Sequence, residues 1–309
     1  MSTETSRVDA WLMAARPHTL PAAASPVIVG TGLAWHEGVF APVPAAVALL
    51  GAMLIQIGTN FANDYYDAVK GADTDEREGF TRVTQSGLLP ARAVKRAMYA
   101  TFGLAILSGV YLVIVGGVPI LVIGVASVAS GILYTGGPYP FGYYGLGDLF
   151  VFVFFGLVAV TGTYYVQAAA AVTGIPVTPP PDTIPTVAVI ASLPMAGLIT
   201  NILVVNNIRD METDRKAGKR TLAVLIGYTA SRGEYVGLML LAYAIPVWFW
   251  LQPTFGWTVL APLVTLPYAA MVTRTVLTER SGDALNPALS QTGKLTAAFA
   301  VLFGVGFAL

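Results

Sequence analysis

Residues 60–75 read NFANDYYDAVKGADTD, and they set Asp64, Asp67, Asp73 and Asp75 beside Asn60 and Asn63 at the end of a long apolar run. Ionisable side chains at the end of a membrane helix are costly and mark function. A second stretch, residues 206–214 (NNIRDMETD), repeats the pattern. Asn206, Asp210 and Asp214 stand four apart, as do Asn63 and Asp67, so each set shares one helix face. Two carboxylate ladders separated by several apolar runs point to a site for divalent cations.

Outward from these stretches, the chain is apolar throughout. It is 55% hydrophobic and 11% charged, with a mean hydropathy of +0.69. No ordinary soluble domain has this composition, so the fold class is all-α: a polytopic membrane helical bundle forming a single domain over residues 1–309. There is no cysteine and there are two histidines, which removes thiolate chemistry and leaves oxygen as the donor for any metal. Net charge is zero, giving no sign of a nucleic-acid partner, and the N-terminal residues lack the pattern of a cleaved signal peptide.

Apolar runs long enough to cross the bilayer fall at residues 18–35, 43–63, 94–115, 118–134, 148–171, 186–208, 233–251, 257–277 and 293–309. That makes about nine transmembrane helices, with the third and fourth the pair most easily merged. If the N-terminus is cytoplasmic, all 17 Lys and Arg lie on the cytoplasmic side, as the positive-inside rule expects. Both carboxylate stretches fall on that face, followed by connections near 67–92 and 210–232 that are long enough to cap a cavity.

Mg²⁺ takes octahedral oxygen ligands and is usually held by one or two carboxylates together with substrate phosphates. Ions held by two facing clusters can bind a diphosphate that neither cluster accepts alone. Arg82, Arg77, Lys70, Lys216, Lys219 and Arg220 lie close in sequence to the aspartates and complete such a cradle. The plainer alternative pairs the aspartates with nearby arginines and leaves the basic residues to set topology.

NDYYDAVKGADTDER and RDMETDRKAGKRTLAVLIG resemble the two aspartate-rich motifs of the UbiA superfamily of intramembrane aromatic prenyltransferases. The KG-x-D continuation and the following QSG look most like its menaquinone branch, and the RPHTLPAAASPV opening and the GLGD loop extend the resemblance. The resemblance implies a nine-helix enzyme in the inner (cytoplasmic) membrane with its active site on the cytoplasmic side. It implies Mg²⁺ as cofactor, with a polyprenyl diphosphate and 1,4-dihydroxy-2-naphthoate as substrates. Carried over, the first motif places Asn63, Asp64 and Asp67 among the metal ligands; its last position is Gly71 here, so Asp73 or Asp75 supplies the missing carboxylate. The second motif gives Asp210 and Asp214, with Lys219 as phosphate-binding cation beside Lys216, Arg220 and Arg82. Tyr134 matches part of a tyrosine-and-lysine pattern, but no lysine follows it in TGGPYPFGYYGLGD. Asp67, Asp210 and Tyr134 are then the catalytic residues.

The reaction implied is electrophilic aromatic substitution: the diphosphate departs, and the naphthoate ring attacks the allylic cation and loses its carboxyl group as CO₂. Phe152, Phe154, Phe155, Tyr164 and Tyr165 are candidates to face that cation. Gln85 and Ser86 are candidate substrate contacts, Arg16 and His18 either bind the acid or anchor the first helix, and Asp148 either caps a helix or handles a proton. Three competitors remain: a related enzyme for 4-hydroxybenzoate, a secondary transporter, which would place its ionisable groups nearer the bilayer midplane, and a CDP-alcohol phosphotransferase, whose motif spacing does not occur here.

Overall fold

The computed structural model describes residues 6–71 and 82–309, and these are helical with no strand among them. We label the helices α1 (Arg7–Ala15), α2 (Leu20–His36), α3 (Pro42–Lys70), α4 (Ala91–Leu133), α5 (Gly147–Ala169), α6 (Thr186–Lys216), α7 (Leu222–Trp250), α8 (Trp257–Thr278) and α9 (Gly282–Ala308). Among the described residues, the seven from α3 to α9 are long and apolar enough to cross a membrane.

α4 has 43 residues. A straight helix of that length would measure ~65 Å, about twice the hydrocarbon thickness. It is broken at Gly117, whose φ of 67° and ψ of −153° are not helical. The amide of Val118 donates to Pro176 O at 2.8 Å, and Tyr165 Oη donates to Gly116 O at 2.7 Å, so the break is held from two sides. A Cβ at Gly117 would sit 1.8 Å from Pro176 O. Gly117→Val therefore destabilises the protein by on the order of 3 kcal/mol, read as a lower unfolding midpoint in detergent. Tyr165, one of the five aromatic candidates to face an allylic cation, is fully buried at this hinge.

α6 runs through the middle of the bundle, with 67% of its most apolar window buried against 17% for α4. Its neighbours approach closely because small residues meet. A Cβ on Gly156 of α5 would lie 2.2 Å from Ala196 of α6, and one on Gly32 of α2 would lie 2.2 Å from Gly304 O of α9. Without a hydrophobic drive between helices in lipid, such backbone proximity is what dispersion can use. α2 and α9 thereby join the two ends of the chain.

Helices extend further than the apolar runs. α3 continues to Lys70 and α6 to Lys216, and α7 starts at Leu222 with a non-helical break at Gly227. The loop expected over 210–232 is therefore mostly helix, and residues 217–221 form the connection. Hydropathy falls at the first charges, but a helix keeps its hydrogen bonds beyond the hydrocarbon. Both aspartate motifs consequently lie on the last turns of rigid helices.

Candidate active site

α3 ends at Gly71, whose φ of 63° is left-handed and whose amide returns to Ala68 O. A helix stop at this position accounts for the glycine where the resemblance calls for a carboxylate. Asp73 and Asp75, the alternatives for that carboxylate, lie outside the described residues, as do Arg77 and Thr81.

The three preceding motif residues are engaged. Asp64, 1% exposed, accepts the amides of Val83 and Thr84 at 3.1 Å each and the Thr84 hydroxyl. Asp67, 2% exposed, takes Arg82 Nη2 at 2.8 Å on one oxygen and the Tyr143 hydroxyl on the other. Asn63 Oδ1 accepts from Thr135 Oγ1 at 3.0 Å. Asn60 takes no part: its amide donates to Ala15 O and Thr19 Oγ1, both at 2.9 Å, and latches the α1–α2 corner.

On α6, Asp210 is gripped by its neighbour Arg209, with Nε to Oδ1 and Nη2 to Oδ2 both at 2.7 Å. Arg209 also donates to Asn206 Oδ1 at 2.7 Å and to Asn286 Oδ1 of α9 at 2.9 Å. Asp214 Oδ1 stands 3.8 Å from Lys219 Nζ. Thus the plainer expectation is met in part, since Asp67 and Asp210 do pair with arginines.

The loop between α4 and α5 joins the halves. Tyr143 donates to Asp67, its ring lies 4.9 Å below Lys219 Nζ and 5.4 Å from Lys70 Nζ, and its carbonyl accepts the Arg220 amide at 2.9 Å. Lys70 Nζ donates to Thr135 O at 2.6 Å and Gly137 O at 3.0 Å. Lys70 of α3 thus reaches into a loop whose stretch TGGPYPFGYYGLGD has no lysine of its own. Tyr134 occupies the centre: burial, and then the charges of Asp148, Asp67 and Asp214, raise its phenol far above the usual range and keep it a neutral donor. Gly142 and Gly147 make room for its ring, since a Cβ on either would come within 3.0 Å of it.

Of the other residues singled out in the sequence, Lys216, Arg220 and Gln85 are exposed, and Arg82 is buried against Asp67. Ser86 donates to Arg82 O at 2.7 Å within its own turn, and its neighbour Thr84 is the residue that reaches Asp64. Asp148 is not the cap of α5, which is Leu146; it is buried and takes Asn207 Nδ2 at 3.5 Å. Phe154 stacks on Phe150, and Phe150 on Phe141, so an aromatic ladder descends from the loop along α5.

The donors suit a hard divalent cation, because each motif offers only carboxylate and amide oxygens. No group of three carboxylates closes on one point among the described residues. Mg²⁺ does not require one, since waters and substrate phosphates fill its remaining positions.

A family model described as the UbiA prenyltransferase family matches residues 23–308. The chain belongs to that family. Among curated UbiA-type relatives, the 1,4-dihydroxy-2-naphthoate octaprenyltransferase of Escherichia coli K12 is 39% identical over 314 residues, covering 98% of this chain and 96% of that one. The enzyme of the same name from Mycobacterium tuberculosis is 38% identical, covering 92% and 91%. The fold is also that of a UbiA homolog from Archaeoglobus fulgidus bound to DMAPP and Mg²⁺, with a TM-score of 0.65 at 17% identity over 96% of this chain and 98% of that one. This UbiA member is therefore a prenyltransferase, a multi-pass helical membrane protein with its polar site at the ends of α3 and α6. That placement at helix ends also argues against the transporter alternative.

Proposed function

We propose that the protein transfers a polyprenyl group from polyprenyl diphosphate to 1,4-dihydroxy-2-naphthoate, releasing diphosphate and CO₂ and giving demethylmenaquinol, the reduced form of demethylmenaquinone. The observation that carries this reading is the convergence of both aspartate motifs on the Tyr134–Tyr143 loop. The near full-length relatives that bear the naphthoate octaprenyltransferase name support the choice of acceptor. The protein crosses the bacterial inner membrane nine times, counting α2 and both arms of α4, with the N-terminus and active site cytoplasmic. The side of the 17 basic residues supports that orientation.

Asn63, Asp64 and Asp67, with Asp73 or Asp75, would hold Mg²⁺ at one motif, and Asp210 and Asp214 would hold it at the other. When bound, Mg²⁺ neutralises the diphosphate and makes it a competent leaving group. The protein's own groups do the rest. Arg82 and Arg209 orient the carboxylates of Asp67 and Asp210. Lys219, only loosely paired at 3.8 Å, swings from Asp214 to the diphosphate. Lys216, Arg220 and Gln85 line the entrance, and the neutral Tyr134 hydroxyl donates to a phosphate oxygen. The Phe141–Phe150–Phe154 ladder offers ring faces to the developing cation and excludes water.

Two outcomes test this. Purified protein in lipid, given a polyprenyl diphosphate and 1,4-dihydroxy-2-naphthoate, forms prenylated product with Mg²⁺ and none with EDTA; product that persists in EDTA contradicts the metal assignment. Lys219→Met raises KM for the prenyl diphosphate by about tenfold and leaves KM for the naphthoate unchanged, as measured by initial rates.

A further inference from the structure

Below the aspartate motifs lies a second pair of acids that phosphate and metal binding leave unused. Asp148, on the first turn of α5, is 4% exposed. Its carboxylate accepts from Asn207 Nδ2 of α6 at 3.5 Å. Glu234 of α7 is half-buried and close enough for its charge to interact with that of Asp148. Neither acid has an arginine or lysine partner among the described residues. Gly147, the residue before Asp148, packs against Tyr134, since a Cβ there would lie 3.0 Å from the Tyr134 hydroxyl. A buried carboxylate is expensive and, without a structural ion pair, needs a chemical reason.

We propose that Asp148 is the catalytic base that takes the hydroxyl proton of the aromatic acceptor, with Asn207 orienting its carboxylate. This rests on the naphthoate reading above. The 1-hydroxyl gives its proton to Asp148, and its oxygen pair feeds ring carbon 2. That carbon bonds to the terminal allylic carbon, whose C–O bond breaks with the pair leaving on diphosphate. The bond from carbon 2 to the carboxylate then breaks, its pair restores the ring, CO₂ departs, and Asp148 returns the proton to the oxygen. Charge and protons balance with no further reagent.

Asp148→Asn lowers kcat by about 10²–10⁴-fold, the range for a lost general base. KM for the prenyl diphosphate and the thermal stabilisation given by geranyl thiolodiphosphate with Mg²⁺ stay at wild-type values, and Asp148→Glu restores part of the rate. A second measurement needs no variant: wild-type protein converts 1-methoxy-4-hydroxy-2-naphthoate, which has no proton to give at that oxygen, more slowly by a similar factor. A methyl ether that turns over within threefold of the parent acid overturns the proposal, as does an Asp148→Asn enzyme within threefold of wild type. Wild-type protein that never prenylates the parent naphthoate sinks the substrate reading, and this inference with it.

Discussion

Asp67→Asn lowers turnover by on the order of 10³-fold, the scale for removing one preorganised charge from a site where charge develops. In the structure both Asp67 oxygens are used, one by Arg82 at 2.8 Å and one by the Tyr143 hydroxyl. An asparagine keeps the shape and one acceptor but cannot supply a charge to Mg²⁺. The choice of replacement matters. Arg82 is 7% exposed, and removing the partner of a buried ion pair typically costs about 3–5 kcal/mol. Asp67→Ala therefore fails partly by unfolding, so its lost activity cannot be assigned to chemistry alone. Asp67→Asn keeps the hydrogen-bonding shape and melts above Asp67→Ala, and its rate per folded molecule, corrected by size-exclusion and thermal melting, reports the lost charge and rises with Mg²⁺ concentration. Wild-type activity in this variant would remove Asp67 from the site.

Asp210→Asn has an effect of similar size for a related reason. Arg209 grips both oxygens of Asp210, and an asparagine must turn its NH₂ toward one of those N–H donors. Loss of charge and loss of alignment act together, so turnover falls by on the order of 10²–10³-fold while the melting midpoint drops modestly. Initial rates and melting of the same preparation separate the two. Arg209→Lys then discriminates further, because a lysine cannot make the bidentate contact. If alignment matters, that variant loses most of its rate although it retains every charge.

Much of this arrangement was visible in the sequence, because it depends on local rules. Apolar runs marked the crossings, and the four-residue spacing of Asn63 and Asp67, and of Asn206, Asp210 and Asp214, marked a shared helix face. The break at Gly117 was marked by the GGVP stretch in which it falls. Contacts across the chain were not visible. Tyr143 reaches Asp67 over 76 residues, and Arg209 reaches Asn286 over 77. No spacing rule distinguishes Tyr143 from Tyr139 or Tyr144 in the same loop. Likewise nothing in the sequence separated Tyr165, whose hydroxyl serves the α4 hinge, from the other aromatic candidates on its run, because helix phase alone does not say which neighbour a buried face meets. Helix ends were also misplaced, since a charge that ends an apolar run does not end a helix.

The most direct test of the central claim is a stoichiometry. Purified protein in lipid vesicles is supplied with Mg²⁺, a polyprenyl diphosphate and 1,4-dihydroxy-2-naphthoate labelled in its carboxyl carbon, and released CO₂ is counted against prenylated product. One CO₂ is expected for each product molecule, and no product from 4-hydroxybenzoate. A prenylated product that keeps the label, or turnover of 4-hydroxybenzoate alone, would contradict the central claim.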